Sequence, residues 1–291
     1  MLDLSLFKAV DSFTRAALAQ TDADLERAWA WGVYDSEDVR FAFFRTYEEL
    51  RTLAVLTSAE RDKNRTAPTS ARRILAQVHT AYRDLQAVLM RVNAATAERS
   101  PAEGEWSVRQ TLGHMVRADA GFLAAVRHAL DHHRAGNWNP GPIPQEVYPA
   151  VIGLAEAEFD AILSGPLDKI QAYHAALHAR ILLDLDDITE EELEQPVIYR
   201  ENRSTTLRFR LHRFDSHLRE HTVQVEKTLA VVGRPPNEIH RLLRLIYSGL
   251  AEAEGAAFKA GEEVGGHWHE TASQIETWAK EIDFYGVLEQ K

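Results

Sequence analysis

The sequence of 291 residues contains no cysteine. This absence excludes disulfide bonds, cysteine nucleophiles, thiolate-ligated zinc and iron–sulfur clusters, so any bound metal ion must be held by His, Asp or Glu. The 13 histidines supply enough side chains for such a site. If the protein carries out thiol chemistry, the sulfur must arrive with a substrate.

Long apolar runs and basic clusters are also missing. Segment 1–20 is interrupted by Asp3, Lys8, Asp11 and Arg15, which argues against a secretory signal. No window approaches the roughly 20 apolar residues of a membrane span. The excess of 44 acidic over 33 basic residues gives a net charge of −11, which repels phosphate backbones. We therefore expect a soluble, cytoplasmic protein that acts on a small molecule, with neither nucleic-acid nor membrane partners.

Apolar residues recur at spacings of three or four along most of the chain, which is typical of amphipathic helices. Four long stripes of this kind fall between about residues 70 and 233, and such helices bury their stripes by packing on one another. The sequence therefore predicts an all-α fold with a four-helix bundle over residues 70–233. The stripes are Ile74, Val78, Tyr82, Leu85, Leu89 and Val92; Val108, Leu112, Met115, Phe122, Val126 and Leu130; Ile170, Leu177, Ile181 and Leu185; and Phe214, Leu218, Val225, Leu229 and Val232.

Glycine and proline mark the ends of these helices. Gly136–Pro144 predicts a loop after the second helix, and residues 149–163 read as one short helix before the third. The loop is long for a bundle connection, and two interpretations stay open: a functional loop or a crossover along the bundle.

Helical extensions at residues 1–69 and 234–291 flank the bundle. Their predicted helices run from a cap at Ser36 to about Leu56, from Pro236 to Glu254, and from Thr271 to Ile282. The first two match when shifted by 200 residues, which suggests either a weak duplication or two segments that pack as a pair. The matching pairs are Val39/Ile239, Phe43/Leu243, Tyr47/Tyr247 and Leu50/Leu250. Their apolar faces predict either a homodimer or an intramolecular clasp.

Three pairs of histidines are four residues apart, which places both rings of a pair on one helix face. The pairs are His128/His132, His174/His178 and His217/His221. The last pair lies beside the apolar stripe of the fourth helix and is predicted to face the bundle interior. The first pair is expected in a solvated helix end, and the middle pair is a reserve candidate for metal binding.

A catalytic zinc site needs a third ligand from another element, and His114 on the second helix is the candidate. The segment Trp106-Ser-Val-Arg-Gln-Thr-Leu-Gly-His114-Met, with Asp119 five residues beyond His114, resembles the second-helix signature of the DinB/YfiT-like superfamily of metal-binding four-helix bundles. The fourth-helix segment Asp215-Ser-His217-Leu-Arg-Glu-His221-Thr-Val-Gln-Val is similar to that family's His-x-x-x-His motif. The segment Asp187-Ile-Thr-Glu-Glu-Glu-Leu-Glu-Gln-Pro resembles its usual exit from the third helix.

The resemblance implies that His114, His217 and His221 are metal ligands. It implies an enzyme that activates a low-molecular-weight thiol for S-transfer or for isomerisation of a dicarboxylic acid. A hydrolase that uses metal-bound hydroxide and a non-enzymatic metal- or ligand-binding module are the alternatives. Zinc is the expected ion, with nickel, iron and manganese as alternatives because imidazole suits all of them.

Several polar residues near these ligands have two interpretations. Asp119 falls on an apolar stripe and is predicted to support a ligand ring or to carry a proton. Asp215 and Glu220 are expected to be solvated charges. His79 could reach the same cavity, although a histidine hydrogen-bonded elsewhere is the preferred interpretation, and Trp106 is expected to be a core residue at the helix cap.

Overall fold

The computed structural model describes residues 4–64, 67–137, 141–199, 203–258 and 265–288. These residues are predominantly helical, and the described part of the chain has only two short strands, which confirms the predicted all-α fold. None of the described helices has the length and hydropathy of a membrane-spanning segment. The helices are α1 Leu4–Leu18, α2 Val39–Lys63, α3 Ser70–Leu89, α4 Ala94–Ala97, α5 Val108–Arg134, α6 Tyr148–Ile152, α7 Glu156–Leu163, α8 Leu167–Asp184, α9 Glu190–Leu193, α10 Leu207–Val231, α11 Glu238–Ala257 and α12 Gly265–Leu288.

One short hairpin, which the sequence analysis did not predict, interrupts the helical pattern. Strand β1 (Pro196–Ile198) pairs antiparallel with β2 (Ser204–Thr206). Each strand has only three residues, too few to produce a recognisable alternation of apolar and polar side chains. The hairpin leads directly into α10, whose first turn is capped by the Thr206 side chain.

The chain divides into two compact units. Unit 1 comprises Met1–Ala67, Gln86–Arg91 and Pro236–Lys291, and unit 2 comprises Pro68–Leu85 and Val92–Pro235. Segments from both flanking extensions therefore contribute to unit 1.

Of the four helices of the predicted bundle, unit 2 contains α5, α8 and α10 and the part of α3 up to Leu85. Helix α5 packs against both α8 and α10. The predicted stripe residues are buried, except for Val92, which lies beyond the end of α3 and is partly exposed. Burial of these stripes is the main favourable free-energy contribution of such a bundle.

A capping box begins α5. The Ser107 hydroxyl accepts the backbone N–H of Gln110, and the Gln110 side chain accepts the backbone N–H of Ser107. Both interactions satisfy backbone donors that the first helical turn leaves unpaired. This cap fixes the start of the helix seven residues before His114.

The segment after α5 differs from the prediction. The expected single helix at residues 149–163 is two helices, α6 and α7, because Gly153 adopts φ +80° and ends α6. Of the predicted Gly136–Pro144 loop, residues 138–140 lie outside the described part of the chain.

In unit 1 the predicted helices are present but longer. Helix α2 is capped by Asp38, whose carboxylate accepts the N–H of Phe41, and not by Ser36. It continues past Leu56 to Lys63. Helix α11 begins at Glu238 and continues past Glu254 to Ala257, and α12 extends beyond the predicted Thr271–Ile282 at both ends. Apolar periodicity marks the buried face of a helix but does not locate its ends.

Helices α2 and α11 pack against each other in unit 1, as do α1 and α12. Arg40 bonds Glu238 at 2.5 Å, and Arg51 pairs with Glu252 further along both helices. The two helices therefore run in the same direction. Three of the four residue pairs related by the 200-residue shift are fully buried here, and the Tyr47/Tyr247 pair packs at the edge of the same core.

Candidate metal centre

His114, His217 and His221 converge in unit 2. The capped helix α5 positions the first ring, and two successive turns of α10 position the others. The Nε2 atom of His217 lies 3.3 Å from Nε2 of His114 and 3.1 Å from Nε2 of His221. All three ligand atoms lie within 4.8 Å of one another.

Gln224, one turn after His221, sets the tautomer of that ring. The Nδ1–H group of His221 donates to Oε1 of Gln224 at 2.7 Å. A neutral imidazole with its proton on Nδ1 has a lone pair on Nε2. The bond therefore directs the His221 lone pair toward the other two histidines.

Burial keeps the His217 ring uncharged. His217 and His221 are buried, whereas His114 is partly exposed. Burial, followed by the nearby His221, His114 and Arg213 side chains, lowers the pKa of His217 to about 3. The ring is consequently neutral near pH 7, which is the protonation state that binds a metal ion.

The arrangement fits a divalent ion. Two nitrogens at about 2.05 Å from a tetrahedral zinc ion are separated by about 3.3 Å, close to the distances between these Nε2 atoms. Three converging lone pairs repel one another unless a cation or protons lie between them. Among the described residues, no fourth His, Cys, Asp or Glu joins the group.

Trp106 lies beside this centre, contrary to the expectation of a core residue. Its ring centroid is 4.8 Å from that of His114, and the residue is 40% exposed. A Trp-Ser sequence before a helix does not show whether the tryptophan ring enters the core or lies beside a metal-ligand candidate. Trp106 therefore forms a wall on the exposed side of the centre.

Asp119 is buried near the three histidines but bonds a different residue. Its Oδ2 atom lies 3.2 Å from Nε2 of His174 on α8. Burial raises the pKa of the Asp119 carboxyl, and the hydrogen bond and charge of His174 oppose the rise, with a smaller opposing effect from His221. The Asp119 carboxylate is thus close enough to interact electrostatically with the His221 ring.

The reserve pair and His79 lie apart from the three converging rings. His178 Nε2 is 2.9 Å from Nδ1 of His79 on α3, and His174 bonds Asp119. His79 therefore follows the preferred interpretation of a histidine hydrogen-bonded elsewhere. Burial, followed by electrostatic interactions with His79, His174 and Arg83, lowers the pKa of His178 well below its ordinary value.

The remaining charged candidates lie near arginines of the same helix. Asp215 bonds Arg219 at 2.8 Å, and Glu220 lies 4.0 Å from Arg213 at an exposed position. Glu220 fits the expected solvated charge, whereas Asp215 is half-buried. At the end of α5, His132 bonds the His128 carbonyl oxygen.

A pocket of about 370 Å³ opens along the same face of α5 as His114. Arg117 and Gly121 line it from α5, three and seven residues beyond His114, and Tyr199 closes one side. A Cβ atom at Gly121 would lie 2.5 Å from the Tyr199 hydroxyl, so glycine permits this approach. Helical spacing from His114 could have indicated Arg117 and Gly121, but no sequence pattern indicated Tyr199.

One comparison with known proteins identifies a family for this chain. The family model described as the DinB superfamily matches residues 77–225, just over half of the chain. The matched segment includes all three converging histidines, Asp119 and Gln224. No curated protein and no solved structure matches the chain significantly. The chain therefore belongs to the DinB superfamily.

Proposed function

We propose that His114, His217 and His221 bind a divalent metal ion and that the ion is the cofactor of an enzyme. The observation that carries this proposal is the convergence of three Nε2 atoms without a fourth ligand among the described residues. Structural zinc sites are usually closed by four protein ligands, whereas catalytic sites have three and keep one position open. The partial exposure of His114 favours access from its side.

Activation of a low-molecular-weight thiol is the chemistry we propose. A divalent ion held by three neutral imidazoles lowers the pKa of a thiol or water molecule bound to it. Because the chain contains no cysteine, the thiol is a cosubstrate. Zinc suits both imidazole and sulfur ligands, and nickel, iron and manganese are the alternatives.

The protein's own residues have distinct roles in this proposal. Gln224 fixes the ring of His221, and Trp106 bounds the exposed side of the centre. Asp119 supplies a buried carboxylate that accepts a proton at Oδ1. The pocket beside Arg117 and Gly121 accommodates the body of a small substrate.

Elemental analysis of protein purified without a histidine tag tests the metal site. We expect about one zinc equivalent per chain after loading, and loss of the metal in His217→Ala. His212→Ala is the matched control, since His212 is an exposed histidine on the same helix, and it should retain the metal. Absence of metal from the loaded, unaltered protein would overturn the proposal.

Assays with paired substrate panels test the reaction. Metal-loaded protein is offered an electrophile with cysteine or glutathione, and separately a panel of esters and amides without thiol. Turnover that requires the thiol and disappears in His217→Ala supports thiol activation. Hydrolysis without thiol would contradict thiol activation and favour the hydrolase alternative. Metal binding without turnover in any panel would favour a non-enzymatic module.

A further inference from the structure

A row of buried polar side chains crosses the interior of unit 2 beside the metal centre. It consists of His79 and Tyr82 on α3, His174 and His178 on α8, and Asp119 on α5, all of them buried. Polar groups cost free energy when they are removed from water, even where hydrogen bonds compensate them in part. An apolar layer would fill the same space without this cost, so the row calls for a role besides packing.

Each member of the row contacts the next. His79 Nδ1 lies 2.9 Å from His178 Nε2, and the His178 ring stacks on Tyr82 with centroids 3.9 Å apart. The Tyr82 and His174 rings are nearly perpendicular, with centroids 5.1 Å apart, and His174 Nε2 lies 3.2 Å from Asp119 Oδ2. The aromatic contacts and the hydrogen bond thus hold the His174 ring from two sides.

Asp119 connects the row electrostatically with the metal centre, since His221 contributes to its pKa. One carboxylate oxygen, Oδ2, is bonded to His174. The other, Oδ1, is buried without a hydrogen-bond partner among the residues that the structure describes. A buried carboxylate oxygen is rarely left without a donor, and one without a protein donor is suited to a donor that arrives with a ligand.

We propose that His174 is a positioning residue of the metal centre. Its Nε2–H group donates to Oδ2 of Asp119 and holds the carboxylate so that Oδ1 accepts a hydrogen bond from the molecule occupying the open position of the ion. Tyr82 fixes the His174 ring by its edge-to-face contact. This inference rests on the proposed metal site and assigns a role to a histidine that does not itself bind the ion.

Binding of Co²⁺ in place of zinc tests the role of His174 without an activity assay. His174→Phe keeps an aromatic ring but removes the N–H donor. We expect its dissociation constant for Co²⁺ to rise about tenfold, as is typical when a group supporting a metal site is removed. The visible absorption spectrum of the bound Co²⁺ should also change. His174→Gln retains an N–H donor at a similar distance along the side chain and should bind within about threefold of the unaltered protein.

His133→Phe is the matched control. His133 is also a buried histidine, but it lies on α5. Its Nε2–H donates to the Pro196 carbonyl at 2.9 Å, away from Asp119. The substitution removes an equivalent buried hydrogen bond and should leave both the Co²⁺ spectrum and the dissociation constant unchanged. An equal weakening in His133→Phe would mean a general loss of fold and would overturn the positioning role.

Two further variants separate the possible failures. Asp119→Asn should weaken Co²⁺ binding as His174→Phe does, and the double variant should be no weaker than the weaker-binding single variant, because both remove one interaction. If His174→Phe does not fold, Asp119→Asn and His174→Gln carry the test. Normal Co²⁺ binding and spectrum in His174→Phe, with loss of binding in His217→Ala, overturns this inference alone. No binding by the unaltered protein overturns the metal site and this inference together.

Discussion

Among single residues, Gln224 determines which nitrogen of His221 faces the other two histidines. It does so by accepting the Nδ1–H of His221 at 2.7 Å. A hydrogen-bond partner of a ligand histidine fixes both the tautomer and the plane of the ring. Its loss commonly weakens metal binding.

Replacing Gln224 should therefore weaken metal binding without removing a ligand. We expect Gln224→Leu to raise the zinc dissociation constant roughly tenfold, because the tautomer and orientation of His221 are no longer fixed. Gln224→Glu keeps the acceptor and should bind at least as tightly as the unaltered protein. Competition titration with a zinc indicator measures both variants, and equal weakening in the two would contradict the acceptor role.

Buried His178 makes the stability of the metal-free protein depend on pH. Its folded pKa is lowered below the unfolded value, so the unfolded chain binds the extra proton at pH values between the two. Stability should thus fall as the pH decreases below about 6.5, by up to about 1.4 kcal/mol per pH unit for this group.

Urea unfolding of chelator-treated protein between pH 7 and pH 5 measures this dependence. In His178→Phe the free energy of unfolding should fall less steeply with decreasing pH, whatever its value at pH 7. Parallel curves for the two proteins would contradict the prediction.

At the residue scale, the sequence predicts the position of a side chain where helical spacing alone determines it. His217 and His221 are four residues apart beside an apolar stripe, so their common inward face follows from helix geometry. The positions of Trp106 and Tyr199 depend on how separate segments meet in three dimensions. Neither position has a signature in the local sequence.

Among the elements, the parallel pair α2 and α11 in unit 1 is notable for its close approach. The glycine at position 249 lies against α2, where an added Cβ atom would be 3.1 Å from Leu50 Cβ and 3.2 Å from Tyr47 Cδ2. The small residue lets the two helix backbones approach each other.

Substitution by alanine should change the free energy of unfolding differently at two helical glycines of unit 1. Gly249→Ala overpacks the α2–α11 contact and should reduce the free energy of unfolding by about 1–3 kcal/mol. Gly266→Ala meets no atom within 4 Å and should be neutral or slightly stabilising, since alanine favours helix. Thermal unfolding of both variants distinguishes packing from helix propensity. Equal destabilisation by the two substitutions would contradict the packing argument.

Helix boundaries were harder to predict than helix positions. Ser36 and Asp38 are both good N-caps, and the choice between them depends on the side-chain bond from Asp38 to the N–H of Phe41. The shift of 200 residues was compatible with packing of α2 against α11, but it fitted a weak duplication equally, and any two amphipathic helices can be aligned in this way. The sequence did not link α1 with α12. The buried residues of both helices recur at spacings of three and four, which is typical of any amphipathic helix and does not select its partner.

For the whole molecule, all three proposed ligands belong to unit 2. Zinc at about 100 times its dissociation constant should stabilise the fold that binds it by about 2.7 kcal/mol. Hydrogen exchange should therefore slow in α5 and α10 when zinc is added, with little change in α2 and α11. His217→Ala should abolish the zinc effect, and equal protection of α2 and α11 would contradict its restriction to unit 2.

The division of unit 1 into segments on both sides of unit 2 also affects how the chain folds during its synthesis. Every helix of unit 2 has been made once the ribosome has reached Pro235, so this unit can complete its core early. Helices α1 and α2 are made before most of unit 2 but acquire their partners α12 and α11 only after it. At translation rates of about 5–20 residues per second, their apolar faces wait on the order of ten seconds. The nascent chain thus has an interval in which a chaperone would protect α1 and α2 from aggregation.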